Sequence, residues 1–331
     1  MRTNILFLFI FFLAVVSCKK KENPFDPEAN VDFSPKNITV QILSPYVLKL
    51  NWEIPNTIMD GIKIDRKEDN GEWINNIAPN LGNNSTSWTD YYCKPNTNYA
   101  YRLYAIAGNN VSDYTTVIKK TPEGNPNGTF TDARDGKTYK WVQIGSQMWM
   151  SENLAYIPYV CMPSDSGGIW VLDYYGQNVS EAILTQEYQS FGCLYNWEMA
   201  NSIAPEGWHL PTKEEWNLLF NYVGGINIAA SKLMAAGNYY WSYNTSLNES
   251  GFTALPGGDK LTPNFGNSFQ GGSALFWAAI PTWAVELGWD LEDYMNFSNQ
   301  GDCCFITGSN DDIYVTKCYF ARGGSVRCIK N

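Results

Sequence analysis

Residues Gly192 to Gly225, GCLYNWEMANSIAPEGWHLPTKEEWNLLFNYVGG, restrict the fold more than any other stretch of this chain. Pro211 precedes Thr212, whose hydroxyl can accept from the amide three residues on, and Glu215 can reach back to the Thr212 amide. That reciprocal pair is a capping box. Beyond it Trp216, Leu219 and Val223 recur on one helical face, Leu218 and Phe220 widen that face, and Gly224-Gly225 stop the helix in left-handed geometry. Upstream, Leu194, Trp197 and Ala200 mark a shorter amphipathic helix that Pro205 ends. The expected order is helix, WHLP connection, helix. The connection carries Trp208 and His209, the only histidine of the chain.

Composition narrows the function classes. In 331 residues, 44% are hydrophobic and 15% aromatic, which is too apolar for a disordered chain and enough for two cores. The formal charge of −10, with no basic footprint concentrated in either folded domain, argues against a nucleic-acid partner. A single histidine makes histidine-based metal sites and Ser-His-Asp triads hard to assemble.

The amino terminus reads as an address. Arg2 supplies a positive start, Ile5 to Val16 is an unbroken apolar run, and Val15-Val16-Ser17 leads into Cys18. The run is too short for a mature transmembrane helix. It resembles a bacterial lipoprotein signal, which implies a signal peptide over 1–17, lipidation of Cys18 and stable membrane anchoring through several acyl chains. An ordinary secretory peptide is the alternative. The polar stretch 18–34, with Lys19 to Lys21, Pro24 and Pro27, is a tether. The expected location is the bacterial cell envelope, at the outer membrane on its periplasmic or surface face.

From 35 to 122 the pattern is short strands between turn residues. ITV at Ile38, VLKLNW from Val47, GIKID from Gly61 and YAYRLYAI from Tyr99 alternate at sandwich spacing. With Trp52, the Asp60-Gly61 turn, TSWTD from Thr86 and KPNTNYAYRLYAI, the segment resembles a fibronectin type III domain, an all-β sandwich. The resemblance implies that Tyr99 is the tyrosine-corner residue. Cys93 reads as a buried thiol, and Trp73 and Trp88 as packing residues in preference to a surface site. A linker, EGNPNG, occupies 123–128.

The second domain, 129–331, opens with TFTDARDGKTYKWVQIGSQMWMSENL, where Asp135-Gly136 and Gly145 permit two hairpin turns. With FGCLYNWEMA, EGWHLPTKEEW, SGFTALPGG and the closing SVRCIKN, it resembles the Fibrobacter succinogenes major paralogous (FISUMP) domain. The resemblance implies an α+β, C-type-lectin-like fold: two helices, a short antiparallel sheet and long loops. Three positions depart from the family pattern. Ala204 stands where a cysteine is usual, Gly324 where a phenylalanine is usual, and Ala278-Ala279 where polar residues are usual. A terminal strand packed less tightly than the family norm is expected from them.

Seven cysteines follow Cys18, an odd number, so at least one thiol stays unpaired in an oxidising compartment. The fold class that the resemblance implies puts the first helix beside the last strand, which favours Cys193 with Cys328; Cys304 with Cys318 would close a hairpin. A structural zinc site is the rival, without a CxxC pair to support it. Formylglycine-generating enzymes use cysteine chemistry on a related fold, but no reactive-cysteine pattern transfers and no basic residue flanks Cys303 or Cys304. The chain is therefore read as a non-enzyme. Glu214 and Glu215, adjacent on a helix, point apart and form no glycosidase pair.

Binding is the favoured function, in the loop region from Asn238 to Tyr314. Tyr239, Tyr240, Trp241, Tyr243, Trp277, Trp283, Trp289 and Tyr294 lie there among Asn, Ser, Gly and Asp, a mixture suited to glycan or protein surfaces. Trp277 is expected in the core. Trp283, Trp289 and Tyr294 are expected at the surface, with Tyr240 and Trp241 as further ligand residues. Asp302, Asp311 and Asp312 could offer carboxylates to Ca²⁺, but the EPN or WND signatures of calcium-dependent lectins are absent. No cofactor is called for. The reading is an anchored, lectin-like envelope protein for adhesion or substrate capture; the alternative is a structural or assembly component without a soluble ligand. His209 is expected to bond to backbone and pack on Trp208, a scaffold role.

Overall fold

The computed structural model describes residues 23–25, 31–55, 58–79, 81–237, 239–241, 246–261, 264–265, 272–308 and 312–331. The signal segment, Cys18, Asn238, Tyr243 and Asp311 lie outside the described residues.

The N-terminal domain is a β-sandwich of seven strands: β1 (Lys36–Ser44), β2 (Val47–Glu53), β3 (Gly61–Glu68), β4 (Ser87–Asp90), β5 (Asn98–Ala107), β6 (Asn110–Val111) and β7 (Thr115–Lys120). One sheet has the order β1-β2-β4; the other has β3-β5-β6 with β7 also paired to β5. Strand alternation sends Leu48, Leu50 and Trp52 inward. The Tyr99 hydroxyl accepts the Lys94 amide at 2.7 Å, the corner contact expected of it, and Cys93 is buried. Trp73 is half-buried, with the Arg102 guanidinium 4.5 Å from its ring centroid. Arg102 Nε in turn donates to Asp65 at 2.8 Å. The indole therefore packs within the sheet surface.

The second domain is mostly β. Its strands are β8 (Asn127–Thr131), β9 (Thr138–Ile144), β10 (Gln147–Met150), β11 (Ile169–Trp170), β12 (Leu194–Tyr195), β13 (Trp208–His209), β14 (Lys260–Leu261), β15 (Asn264–Phe265), β16 (Ser273–Trp277), β17 (Gln300–Thr307), β18 (Asp312–Tyr319) and β19 (Ile329–Lys330). Seven short helices intervene: α1 (Val179–Ala182), α2 (Gln186–Phe191), α3 (Trp197–Ser202), α4 (Lys213–Tyr222), α5 (Ile226–Leu233), α6 (Thr282–Glu286) and α7 (Leu291–Phe297). A five-stranded sheet has the order β13-β19-β10-β9-β8, so the terminal strand sits inside it. Gly145 makes the turn from β9 to β10 at φ 62°.

A three-stranded sheet, β16-β17-β18, lies between two hydrophobic cores. Successive residues of a strand face opposite ways, so Leu275, Trp277, Cys303 and Phe305 enter one core. Phe276, Cys304 and Ile306 enter the other, with Trp149, Trp216 and Phe252. This alternation corrects the expected cysteine pairing. Cys303, not Cys304, bonds to Cys318, across a Cα separation of 6.3 Å. Cys303 and Cys318 share a face, whereas Cys304 points into the opposite core. Cys193 and Cys328, expected to pair, are both buried free thiols.

The stretch from Gly192 to Gly225 contains both expected helices, α3 and α4, and the capping box on α4 is complete. Two details differ. Leu194 belongs to strand β12, and α3 begins after Asn196, whose side chain accepts the Met199 amide. The first two residues of WHLP form strand β13, pairing Trp208 with Lys330 and His209 with Ile329. Leu218, expected on the buried face, is half exposed, because Trp216, Leu219 and Phe220 already fill the contact.

The terminal segment is not loosely packed: Val326, Arg327 and Cys328 are fully buried. A Cβ at Gly324 would collide with Leu275 and reach 3.0 Å from Trp277 Nε1, so these side chains occupy the room a larger residue would need. Arg327, which the sequence reading passed over, holds the separate motifs together. Its guanidinium donates to Asn153 Oδ1 at 2.7 Å, Met150 O at 3.2 Å, Phe252 O at 2.5 Å and Thr253 O at 2.8 Å. Burial pushes its pKa down to about 9, so it remains charged at neutral pH.

Candidate binding surface

The segment PTWAVELGWDLEDYMNF from Pro281 folds into α6, a turn at Gly288 with φ 78°, and α7. Asp290 and Asp293 start α7 with a second capping box: the Asp293 amide donates to Asp290 at 2.9 Å, and the Asp290 amide to Asp293 at 3.2 Å. Trp283, Val285, Leu287 and Phe297 are exposed by 45, 54, 66 and 67%. Trp289 is half-buried. Its ring meets Trp283 at 5.6 Å and Phe297 at 5.0 Å, both edge-to-face. Rings this close touch one another and leave no space between them, so only their outward faces can receive a ligand.

Tyr294 is not at the surface, which corrects the expectation. It is 2% exposed, packing on Trp197 at 5.4 Å, because the α7 face that carries it is the one turned to the core. Its hydroxyl accepts from Lys317 Nζ at 3.0 Å, and the same ammonium donates to Asp302 Oδ2 at 2.9 Å. Burial opposes the Lys317 charge, but these two bonds outweigh it and raise its pKa. Asp302 Oδ1 is buried without a hydrogen bond, with Lys213 Nζ 4.0 Å away. Around the exposed rings stand Glu286, Asp290, Glu292 and Asp293, and the segment has no basic residue. The segment is therefore aromatic, braced from below, and acidic in its own residues.

The remaining aromatic candidates lie elsewhere. Trp241 is fully buried and donates to Ala254 O at 2.9 Å, so it is a core residue; the polar loop around it misled the reading. Trp277 is core, as expected, and donates to Tyr195 O at 2.7 Å. Tyr240 is half-buried in a cleft, edge-to-face on Tyr239 at 4.8 Å and near Phe191 at 6.0 Å. Burial raises its pKa.

The His209 imidazole bonds to side chains and not to backbone. Nε2 lies 3.0 Å from Glu215 Oε1 and Nδ1 lies 2.6 Å from Asn331 Oδ1. Both ring nitrogens face acceptors, an arrangement satisfied by the imidazolium. The Glu215 bond raises the His209 pKa, ahead of burial, which opposes it. For Glu215 burial works the other way, and the bonds from His209 and Thr212 overcome it to lower the carboxyl pKa. Trp208 stacks on Phe130 at 4.3 Å rather than on His209.

No group of three or more metal-ligating side chains occurs among the described residues. Asp302, a proposed calcium carboxylate, is held by Lys317, and Asp312 is exposed at the start of β18.

A fibronectin type III domain model matches residues 33–121, and the Fibrobacter succinogenes major domain model matches residues 142–330. No curated protein sequence matches the chain. Among solved structures, a redesigned β-sandwich protein is similar at 24% identity over 27% of this chain and 94% of that chain, with a TM-score of 0.24. The FN5 domain of Drosophila Lar is similar at 17% identity over 28% of this chain and 100% of that chain, TM-score 0.23. The sixth fibronectin type III domain of a human fibronectin type III domain containing protein is similar at 18%, over 28% and 87%, TM-score 0.24. Likenesses at these TM-scores carry no argument. The two matched domains are non-catalytic binding or structural modules that fit a cell-surface or extracellular protein. With the second model spanning more than half of its length, the chain belongs to the Fibrobacter succinogenes major domain family.

Proposed function

We propose that the protein is a lipid-anchored cell-envelope component whose second domain captures a glycan or protein ligand on the α6–α7 surface. One observation carries this reading: Trp283 and Phe297 stand exposed on a hairpin whose rings brace one another and whose base, Tyr294, is bonded to Lys317. Exposed rings held rigid lose little entropy on binding, and isolated apolar residues at a surface do not brace each other this way. The C-type-lectin-like reading of the fold belongs to the proposal. It is supported by α3 and α4 in the expected order and by β19, which returns the end of the domain to the sheet of its first strands. Cysteine catalysis is disfavoured, since Cys303 is in a disulfide and burial raises the Cys304 pKa.

Anchoring rests on Arg2, the apolar run and Cys18. No helix among the described residues is long and apolar enough to cross a membrane. Labelled fatty acid should enter the wild type and not Cys18→Ala; equal labelling removes the anchor. For binding, the full chain on a glycan array should give signals that Trp283→Ala with Trp289→Ala abolishes at unchanged melting temperature. A silent array together with a stable envelope partner in cross-linking supports the assembly role instead.

A further inference from the structure

The second domain has a cleft that shares none of the residues of the α6–α7 surface. Two cavities of about 250 and 340 Å³ have Ser190 and Phe191 as a common wall, at the end of α2. Thr253 and Leu255 border the larger and Pro256 the smaller, so one chain segment lines both. The larger by itself lies within the size range of small-ligand sites, roughly 300–1,000 Å³.

The two ends differ chemically. At the smaller end Tyr240, Tyr239 and Phe191 present ring surface beside Glu187. Rings of this kind stack on the apolar faces of sugars, while a carboxylate accepts from hydroxyls and repels an anion. At the larger end Lys137 lies with its ammonium 5.0 Å from the Tyr188 ring centroid. Lys140, also at this end, is already paired with Glu152 at 3.2 Å. Among the described residues no carboxylate lies within ion-pair distance of Lys137. Lys137 lies in the turn just ahead of β9, and β9 itself is bonded on both sides, to β8 and β10, so a peptide finds no free strand edge here to extend.

From this polarity we infer that the cleft binds an acidic oligosaccharide, with a sugar ring on Tyr240 and Phe191 and a carboxylate at Lys137. The neutral-to-acidic direction of the ligand is set by Glu187 at one end and Lys137 at the other. The formal charge of −10 on the whole chain does not forbid this, because charges farther than about 8 Å are screened at physiological salt. The site is additional to the α6–α7 surface and stands or falls separately from it.

The test uses the full chain and calorimetric titration with a panel of uronate oligosaccharides: oligogalacturonate, oligomannuronate, oligoguluronate and a hyaluronan tetrasaccharide. Each is compared with its carboxyl-reduced counterpart. At least one acidic member should bind about tenfold more tightly than its reduced form, the equivalent of about 1.4 kcal/mol. Lys137→Gln should erase that preference and leave the reduced form bound as in wild type. Tyr240→Ala should weaken both forms about tenfold. Trp283→Ala with Trp289→Ala should change neither, whatever those residues do for another ligand. The inference is overturned by silence across the panel, by equal affinity for acidic and reduced forms, or by a preference that survives Lys137→Gln. Equal binding of an acidic tyrosine-containing peptide would overturn it as well.

Discussion

Helices α4 and α7 begin with the same local device and end in opposite circumstances. Each has a capping box, Thr212 with Glu215 and Asp290 with Asp293. On α4 the carboxylate of the box is also bonded to His209, and the helix buries Trp216, Leu219 and Phe220. On α7 the box is exposed, only Tyr294 is buried, and Phe297 is left open beside Trp283. The comparison teaches that a helix signal says where a helix starts, while exposure of its apolar residues is decided by what packs on it. An apolar face that the fold leaves uncovered is the one available for binding.

The largest expected effect tests the buried side. Trp216→Ala should destabilise the second domain by about 3–5 kcal/mol, the usual cost of emptying a fully buried aromatic site, read by denaturant unfolding. Trp283→Ala should cost less than about 1 kcal/mol. Comparable losses at the two positions would erase the distinction between α4 and α7.

Next in size is the disulfide in the same core as Tyr294. Its cysteines are 15 residues apart, and Cys318→Ser should cost about 3 kcal/mol by loop-closure entropy. Alkylation with and without reductant should show Cys303 and Cys318 protected, and Cys193, Cys304 and Cys328 as thiols once the protein is unfolded. A protected Cys304 would return the pairing to the arrangement first expected.

The two caps come third. Thr212→Ala should cost about 1 kcal/mol. Asp290→Ala should cost less, since α7 buries little else; equal costs would mean that capping acts independently of packing.

The smallest effect concerns pH. His209 has a folded pKa above its ordinary 6.5. Its stabilisation is therefore full below pH 6.5 and is lost as pH rises through the raised folded value. Glu215, held below its ordinary 4.5, contributes above that pH and loses its part as pH falls through the lowered value. The melting temperature of wild type relative to His209→Gln should decline as pH rises above 6.5. A flat difference would show that the His209–Glu215 contact is unimportant. His209→Ala should lower stability more than it alters binding, consistent with a scaffold role.

Much of this was legible in the residues. The α4 cap, its glycine stop and the strands of the sandwich follow from neighbours a few positions apart, where period and side-chain reach leave few options; the Tyr99 corner followed from the resemblance to a fibronectin type III domain. The buried position of Trp277 was expected from the resemblance to FISUMP domains, which carry many core tryptophans. Tyr294, Trp241 and the cysteine partner were not. A tyrosine at α-helical spacing can face the core or the solvent, and adjacent cysteines in a strand must face opposite ways, with nothing local to say which face holds the partner.

The sequence by itself determined the two domain patterns and the two helices that flank the WHLP connection, because hydrophobic period, caps and turns act within a few residues; the other five helices of the second domain were not expected from it. Only the tertiary structure decided which aromatic rings are walls and which are surface, that Arg327 would join three distant motifs, and that the cavities lined by Lys137 and by Tyr240 would share Ser190 and Phe191. Those outcomes depend on side chains brought together across long sequence separations, and that closeness is a property of packing, which no local pattern encodes.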